Sequence, residues 1–423
     1  MNYKKPRGTQ DWYGDSLEQL NEVLSILNSL VKGYGFQNIM TPTFESLDLF
    51  KKSVGDTTDI VQKELYTFAD KKGRELALRP EGTSSVVRAY VEDKMFANKS
   101  NVTKLAYFLN LFRYERPQNG RLREFHQFGI EYLNVNSHLN DIECLILAQQ
   151  IINKFNLSKY IQLKINYLGN FEQRQMWIEE LKQYFAKYQD QLTDDSLQRL
   201  NINPLRILDD KIDGQKSFVK QAPKLEKFLN DEDNKIFKEI LNCLSSNEIN
   251  YFVDDSLVRG LDYYTGIVFE FVYKSPVTEL ESTLLGGGRY SHLIQQTGGP
   301  DQIGLGFAIG IERLLLALNE TNYSFKNKHS LDIVLGFDSF KTTTKCLSMI
   351  TKIRENNYCV EIDFGNYKKD KNARFAIRQN AKYFSFIDEN DLKNNVIKLE
   401  NIKTHELINV NLDKLVYFLK GEK

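Results

Sequence analysis

At 423 residues the chain is too long for one ordinary hydrophobic core, and its 41% hydrophobic and 12% aromatic content excludes a disordered or low-complexity protein. Fifty-six basic residues balance 56 acidic ones, so a nucleic-acid-binding surface, if there is one, has to be local. No apolar run approaches membrane-helix length and the polar start Met1 to Asp11 lacks the apolar stretch of a signal peptide, while Cys144, Cys243, Cys346 and Cys359 show neither CxxC nor zinc-ligand spacing; together these predict a cytoplasmic protein with free, mostly buried thiols.

Lys5 to Asp11 is an extended, glycine-broken start. Asp15 and Glu18 form a capping-box pattern, and Leu17, Leu20, Leu24, Leu27 and Val31 recur at helical spacing until Gly33 or Gly35. The segment 35–45 reads as a strand stopped by Pro42, and 53–61 as a loop. Residues 65–68 and 75–78 pair as a hairpin across Lys71-Lys72-Gly73, and Arg79-Pro80-Glu81-Gly82-Thr83 leads into a helix over 83–90. A longer hairpin follows. Its arms are the aromatic-rich 105–114 and the mostly alternating 125–130, with Pro117 to Asn119-Gly120 as the turn, since Asn-Gly supplies positive φ.

Arg113, Arg116, Arg121 and Arg123 crowd that hairpin with only Glu115 between them. Such density suits an anion with several oxygens, because each guanidinium offers a planar fork of donors. A solvated hairpin tip would carry the same charges without any ligand.

Residues 141–155 form an amphipathic helix. Over 156–251 the character changes: one strand at 161–167 precedes charged helical segments, among them 171–188 and 235–243, and no catalytic constellation occurs. This reads as a helical insertion. Dense motifs return with Leu257-Val258-Arg259-Gly260-Leu261-Asp262-Tyr263-Tyr264-Thr265-Gly266, then Leu284-Leu285-Gly286-Gly287-Gly288-Arg289-Tyr290, then Gly304 to Leu314 as a glycine-spaced strand entering an apolar helix that carries Arg313. After a polar linker at 326–329 the pattern alternates: strand 332–335, helix 340–354, strand 358–362, helix 372–382, strand 384–387, two more strands and a helix over 412–419. That alternation predicts a small α/β domain. Lys368, Lys369, Lys371, Arg374, Arg378 and Lys382 cluster on one of its loops and helices.

Phe112-Arg113-Tyr114-Glu115-Arg116-Pro117 resembles motif 2 of the class II aminoacyl-tRNA synthetases, in the form seen in the histidyl-tRNA synthetase family. The helix–strand–proline arrangement up to Pro42 is similar to motif 1, which builds the dimer interface there, and 304–314 resembles motif 3. The 257–266 string matches that family's first histidine signature. The 284–290 glycine run resembles its second, although the usual Asp-Gly-Leu continuation is replaced by Ser291-His292-Leu293.

The resemblance implies an α+β fold: a class II catalytic domain over 1–325, with a mixed, mainly antiparallel sheet flanked by helices and a helical insertion at about 156–251, then an α/β anticodon-binding domain over 326–423. It implies a homodimer that activates L-histidine with ATP and Mg2+ and charges tRNA(His). Arg113 would bind the α-phosphate and Arg313 the γ-phosphate, and both, with Arg259, would act in catalysis. Arg121 and Phe125 would complete the ATP site. The histidine pocket would take Glu81, Gly82, Thr83, Gln127, Glu131, Arg259, Tyr263 and Tyr264. Within it Glu131 and Tyr264 would face the ring nitrogens, Glu81 and Thr83 the ammonium, and Arg259 the carboxylate. Arg116, Gln118 and Arg123 would meet the tRNA acceptor end, and no protein-held metal site is implied. A non-catalytic paralogue, such as a regulatory subunit of ATP phosphoribosyltransferase, is the competing reading; the string running intact through Tyr264 and the C-terminal domain argue against it.

Overall fold

A computed structural model describes residues 3–55, 58–97, 102–118, 120–208, 210, 212–258, 261, 263–326, 331–363 and 365–421. The strands among them are β1 (Gln37–Asn38), β2 (Phe44–Ser46), β3 (Thr67–Ala69), β4 (Glu75–Leu78), β5 (Thr103–Phe112), β6 (Glu124–Val135), β7 (Ile161–Tyr167), β8 (Tyr251–Val253), β9 (Tyr264–Lys274), β10 (Glu281–Tyr290), β11 (Ile303–Gly310), β12 (Ile333–Phe337), β13 (Val360–Ile362), β14 (Tyr383–Ile387), β15 (Val396–Asn401) and β16 (Leu407–Asn411). Two compact units result, one up to Phe325 and one from Lys326 onward.

The first unit is built on an eight-stranded sheet in the order β1-β5-β6-β11-β10-β9-β7-β8. Its central pairs are antiparallel, and only the edge pairs β1–β5 and β7–β8 are parallel. Strand periodicity divides its faces. Phe128, Ile130 and Tyr132 of β6, Leu305, Phe307 and Ile309 of β11, and Phe269 and Phe271 of β9 enter one core with Leu20, Val23 and Leu27 of the helix Asp15–Gly33, Leu145, Ala148 and Ile152 of Leu139–Lys154, and Leu314 and Leu318 of Ile311–Glu320. The opposite face carries Tyr107, Tyr264, Val268 and Tyr290 into a second core, shared with Trp177, Leu181 and Phe185 of the helix Phe171–Phe185. Helices therefore pack on one face, and the other is left open at its centre.

Several local expectations are corrected. The helix Asp15–Gly33 starts at Gly14 with no side-chain cap; Asp15 and Glu18 sit in its first turn, where the helix dipole favours acids. The segment 35–45 is no continuous strand but β1 and β2 on either side of a proline-containing stretch, because Pro42 cannot donate to a ladder. The loop expected at 53–61 is shorter than that among the described residues, with helix up to Val54 in Leu47–Val54 and a π-turn from Ile60 in Ile60–Glu64; residues 56 and 57 lie outside the described residues. In the second unit the helix expected at 372–382 is Lys369–Arg378, since Tyr383 is already paired in β14. All four cysteines are free, but only Cys144 and Cys346 are buried; Cys243 is half-buried and Cys359 exposed.

The second unit has a five-stranded sheet, β13-β12-β14-β15-β16, with β12 parallel to both neighbours and the remaining pairs antiparallel. Ile333, Leu335 and Phe337 pack with Cys346, Ile350 and Ile353 of the helix Phe340–Glu355. Val334 points the other way, into the group containing Ala376 of Lys369–Arg378. Helices thus lie on both faces of its parallel half.

Candidate active site

On the open face of the large sheet the central strands place small residues: Gly129 on β6, Gly286 and Gly288 on β10, Gly304, Gly306 and Ala308 on β11. Two of these are spaces that a neighbouring side chain needs. A methyl group at Gly306 would overlap the carboxylate of Glu131 directly opposite, and one at Gly129 would overlap the ring of Tyr107 directly opposite. Above this floor lies a cavity of about 450 Å³. Phe125, Gln127 and Glu131 line it from one face of β6, along roughly 20 Å of extended strand.

At one end the cavity is a buried polar pocket. The Glu131 carboxylate, 1% exposed, accepts from the Thr83 hydroxyl at 2.7 Å and from the Tyr290 hydroxyl at 2.8 Å. Burial pushes its pKa up to about 8; hydrogen bonds from Thr83, Tyr290 and Tyr107 oppose that, and the nearby Glu81 charge adds to it. Glu81 is turned toward the start of the helix Thr83–Glu92 and accepts the backbone N–H groups of Thr83 (2.8 Å) and Ser84 (2.7 Å). Gly82 is that helix's N-cap, and a side chain there would strike the Tyr107 ring. Tyr263 and Tyr264, both buried, close the pocket with ring centroids 4.7 Å apart, and Tyr263 meets Tyr290 edge-on at 5.6 Å. Burial raises the Tyr107, Tyr263 and Tyr290 phenols well above their ordinary range, so all three stay protonated.

At the other end three guanidiniums converge. Arg113 donates to the Pro80 carbonyl at 2.9 Å and lies over the Phe125 ring at 5.4 Å. Arg121 pairs with Glu115 at 3.2 Å. Arg313 donates to the Thr283 carbonyl at 2.6 Å and sits in the first turn of the helix Ile311–Glu320, where the dipole disfavours a cation. Its pKa is lowered by burial first, then by the Arg121 and Arg113 charges, against the pull of Glu115. Cations packed together against a helix N-terminus form a place that an anion would relieve. Glu312 braces this corner, accepting the His126 backbone N–H at 3.0 Å and lying 2.8 Å from its Nδ1.

Of the remaining residues singled out from the sequence, Arg116 and Gln118 are exposed at the hairpin tip and do not line the cavity. Arg123 is turned back on the hairpin: its guanidinium covers the Tyr114 ring at 4.0 Å and donates to the Glu115 carbonyl at 3.2 Å. Arg259 lies outside the described residues, as do Gly260, Asp262 and Asn119. Ser291 bonds Thr265 at 2.6 Å and His292 meets the Phe171 ring; neither lines the cavity. Sequence reasoning did not reach Tyr107, Glu270, Asp59 or Arg206, which do line it. Glu270 leaves a signal, an acid within the apolar run Phe269 to Tyr273, whereas Tyr107 looks like any core aromatic until the glycines opposite it are seen.

A mainly antiparallel sheet whose open, glycine-floored face carries the cleft, in a chain that continues into an α/β unit, is the fold of the class II aminoacyl-tRNA synthetases. Residues 8–314 match the family described as histidyl-tRNA synthetase, and 331–422 match the anticodon binding domain. The chain belongs to the histidyl-tRNA synthetase family. It is 44% identical over 415 residues to the histidine–tRNA ligase of Ureaplasma urealyticum serovar 10, covering 98% of each chain. It is 41% identical over 420 residues to that of Bacillus licheniformis, covering 99% of each. Among solved structures, apo histidyl-tRNA synthetase of S. aureus aligns with a TM-score of 0.84 at 34% identity over 99% of this chain and all of that one. A Bacillus halodurans structure titled as an ATP phosphoribosyltransferase regulatory subunit/histidyl-tRNA synthetase aligns at 0.65 but only 21% identity, which reflects the fold alone.

Proposed function

We propose that the protein is a histidine–tRNA ligase: it activates L-histidine with ATP, releases pyrophosphate, and transfers the histidyl group to the 3′ end of tRNA(His). The observation that carries this reading is the single cavity with a buried carboxylate among tyrosines at one end and converging arginines at the other. The attacking group is a carboxylate already ionised at neutral pH, so no general base is needed, and rate enhancement comes from positioning and from neutralising charge on phosphate oxygens. Arg113 and Arg313, with Arg121 beside them, suit that task. Burial raises the Glu131 pKa to about 8, close to neutral, so it can present either a donor or a lone pair to an imidazole nitrogen, with Tyr264 nearby as the second ring partner. A pocket built around both ring nitrogens leaves buried polar groups unpaired when the wrong amino acid enters, which gives discrimination without editing. Glu81, Thr83 and Gln127 would serve the amino acid's polar end, and Arg259 its carboxylate.

Mg2+ would arrive with ATP. It usually needs only one or two protein carboxylates beside the phosphates and water, and Glu270 and Glu64, which line the cavity, are the carboxylates that would hold it. There it would neutralise phosphate charge.

The reading extends to the second unit as the anticodon reader. Lys368, Lys369, Lys371, Arg374 and Arg378 are exposed, and beside them a cavity of about 170 Å³ is lined by Phe340, Leu347 and Tyr367. Cations around exposed aromatic rings suit unstacked bases. Residues 156–251 would be the insertion, Arg116 and Gln118 would face the acceptor end while Arg123 braces the hairpin, and the protein would act in the cytoplasm as a homodimer. Exposed Met40, Phe44 and Phe68 provide apolar surface for that dimer.

The test is ATP–pyrophosphate exchange with each of the twenty amino acids, without tRNA. Exchange stimulated by histidine alone is expected. Folded protein that exchanges with none of them would defeat the ligase reading.

A further inference from the structure

Beyond the groups that face the substrate, the amino-acid pocket depends on how the start of β9 is held. Tyr264 is the first residue of that strand, and the β7–β9 ladder ends at the Tyr167–Ile267 pair. On the β10 side the register skips between Gly288–Val268 and Arg289–Thr265, which makes Gly266 and Ile267 a bulge, with Gly266 at φ +58°. The backbone groups of 264–266 that face β7 therefore have no regular ladder to meet, and buried backbone groups have to be paired somehow.

They are paired from the segment that follows β7. Leu168 donates its N–H to the Gly266 carbonyl at 2.6 Å, and Gly266 donates to the Gly169 carbonyl at 2.7 Å. The Tyr264 carbonyl receives a side chain instead: Arg174 Nη1 donates to it at 2.9 Å. Arg174 is 8% exposed and lies in the first turns of the helix Phe171–Phe185. The start of that helix is itself fixed by a reciprocal capping box between Asn170 and Gln173, and Gln173 Nε2 is anchored to Asp233 at 2.6 Å. Further along, Trp177, Leu181 and Phe185 share one core with Tyr263, Tyr264 and Tyr290. A charged, planar donor on a rigid helix is thus standing in for a missing strand at the point where the tyrosine pair enters the pocket.

We propose that Arg174 is a positioning residue for the amino-acid pocket, fixing Tyr264 through its backbone carbonyl and so tying the geometry of that pocket to the 156–251 segment. The inference rests on the histidine-activating role proposed above.

Steady-state ATP–pyrophosphate exchange on the full-length protein tests it, with Arg174→Met, Arg174→Lys and, as a control, Thr193→Ala, which removes the cap of the helix Asp194–Ile202 elsewhere in the same segment. Loss of a charge-assisted bond at this site is expected to raise the histidine KM of Arg174→Met roughly tenfold or more while the ATP KM stays at the wild-type level. Arg174→Lys, with a single flexible donor, should fall in between, and Thr193→Ala should lower the Tm without changing either KM. An unchanged histidine KM in Arg174→Met, or parallel changes for both substrates shared with Thr193→Ala, would overturn the proposal. Should Arg174→Met not fold, Arg174→Lys decides, and a wild-type histidine KM there counts against the role. A wild-type protein without histidine-dependent exchange would instead defeat the functional reading itself.

Discussion

Glu131 is ionisable, almost wholly buried and ringed by hydroxyls, so its protonation is written into the stability of the fold. Its folded pKa of about 8 stands above the ordinary value of 4.5, so the folded state holds a proton that the unfolded state has lost between those two pH values. The stabilisation is complete below the lower value, declines as pH rises, and is gone above the upper one, with a slope of at most about 1.4 kcal/mol per pH unit. Glu131→Gln cannot ionise. Chemical denaturation across that window should show the wild type losing stability relative to Glu131→Gln; curves that run parallel would mean that Glu131 is ionised throughout. Arg313 invites a second test at this scale. If this half-buried guanidinium neutralises phosphate charge as proposed, Arg313→Ala should lower exchange by about 10²–10³-fold with little effect on folding. Because Arg313 loses pKa to burial and to neighbouring cations, the variant should be no less stable without ligand, and a Tm measured beside the exchange rate checks both halves.

At the scale of elements, the site exists because of what β6 and β11 omit. Glu131 and Tyr107 lie across the sheet only where the strand opposite carries glycine. Gly306→Ala would push its methyl group into the Glu131 carboxylate and the Ile130 carbonyl, neither of which can swing away, since one is hydrogen-bonded and the other is backbone. A destabilisation of roughly 1–3 kcal/mol is expected, with loss of histidine-dependent exchange. Urea unfolding of Gly306→Ala at wild-type stability would show that the floor has room to spare. The hairpin of β5 and β6 makes a related point: it was legible from its aromatic arms and arginine density, but the sequence does not say that Arg123 folds back on Tyr114 while Arg113 and Arg121 turn into the cavity. Side-chain direction at an irregular tip depends on neighbours distant in the chain, here Gly8 on one side and Arg313 on the other.

For the whole molecule, two compact units that each bury their own core allow one chemistry to be separated from the other. Removing residues 331–423 should depress aminoacylation of tRNA far more than histidine-dependent exchange, since adenylate formation needs only the cavity in the first unit. Equal losses in both assays would mean that the second unit serves catalysis directly.

Alternation and helical spacing made the first helix, the β5–β6 hairpin and the α/β pattern after Leu331 legible, because these are local properties of a chain. The α+β class, the mainly antiparallel sheet and the choice of Glu81, Thr83, Arg113, Glu131, Tyr264 and Arg313 came instead from the resemblance that a few dense motifs bear to the histidyl-tRNA synthetase family. Tertiary structure alone decided what those residues meet. It set Tyr290 and Thr83 on Glu131, laid Tyr107 across Gly129, brought Arg313 beside arginines nearly two hundred positions earlier, and delivered Arg174 to the Tyr264 carbonyl. All but the Tyr107–Gly129 contact, which lies within one hairpin, join segments far apart in sequence, and each depends on strand register and on burial. Neither register nor burial is a property of any short stretch of sequence, so both came only with the folded sheet.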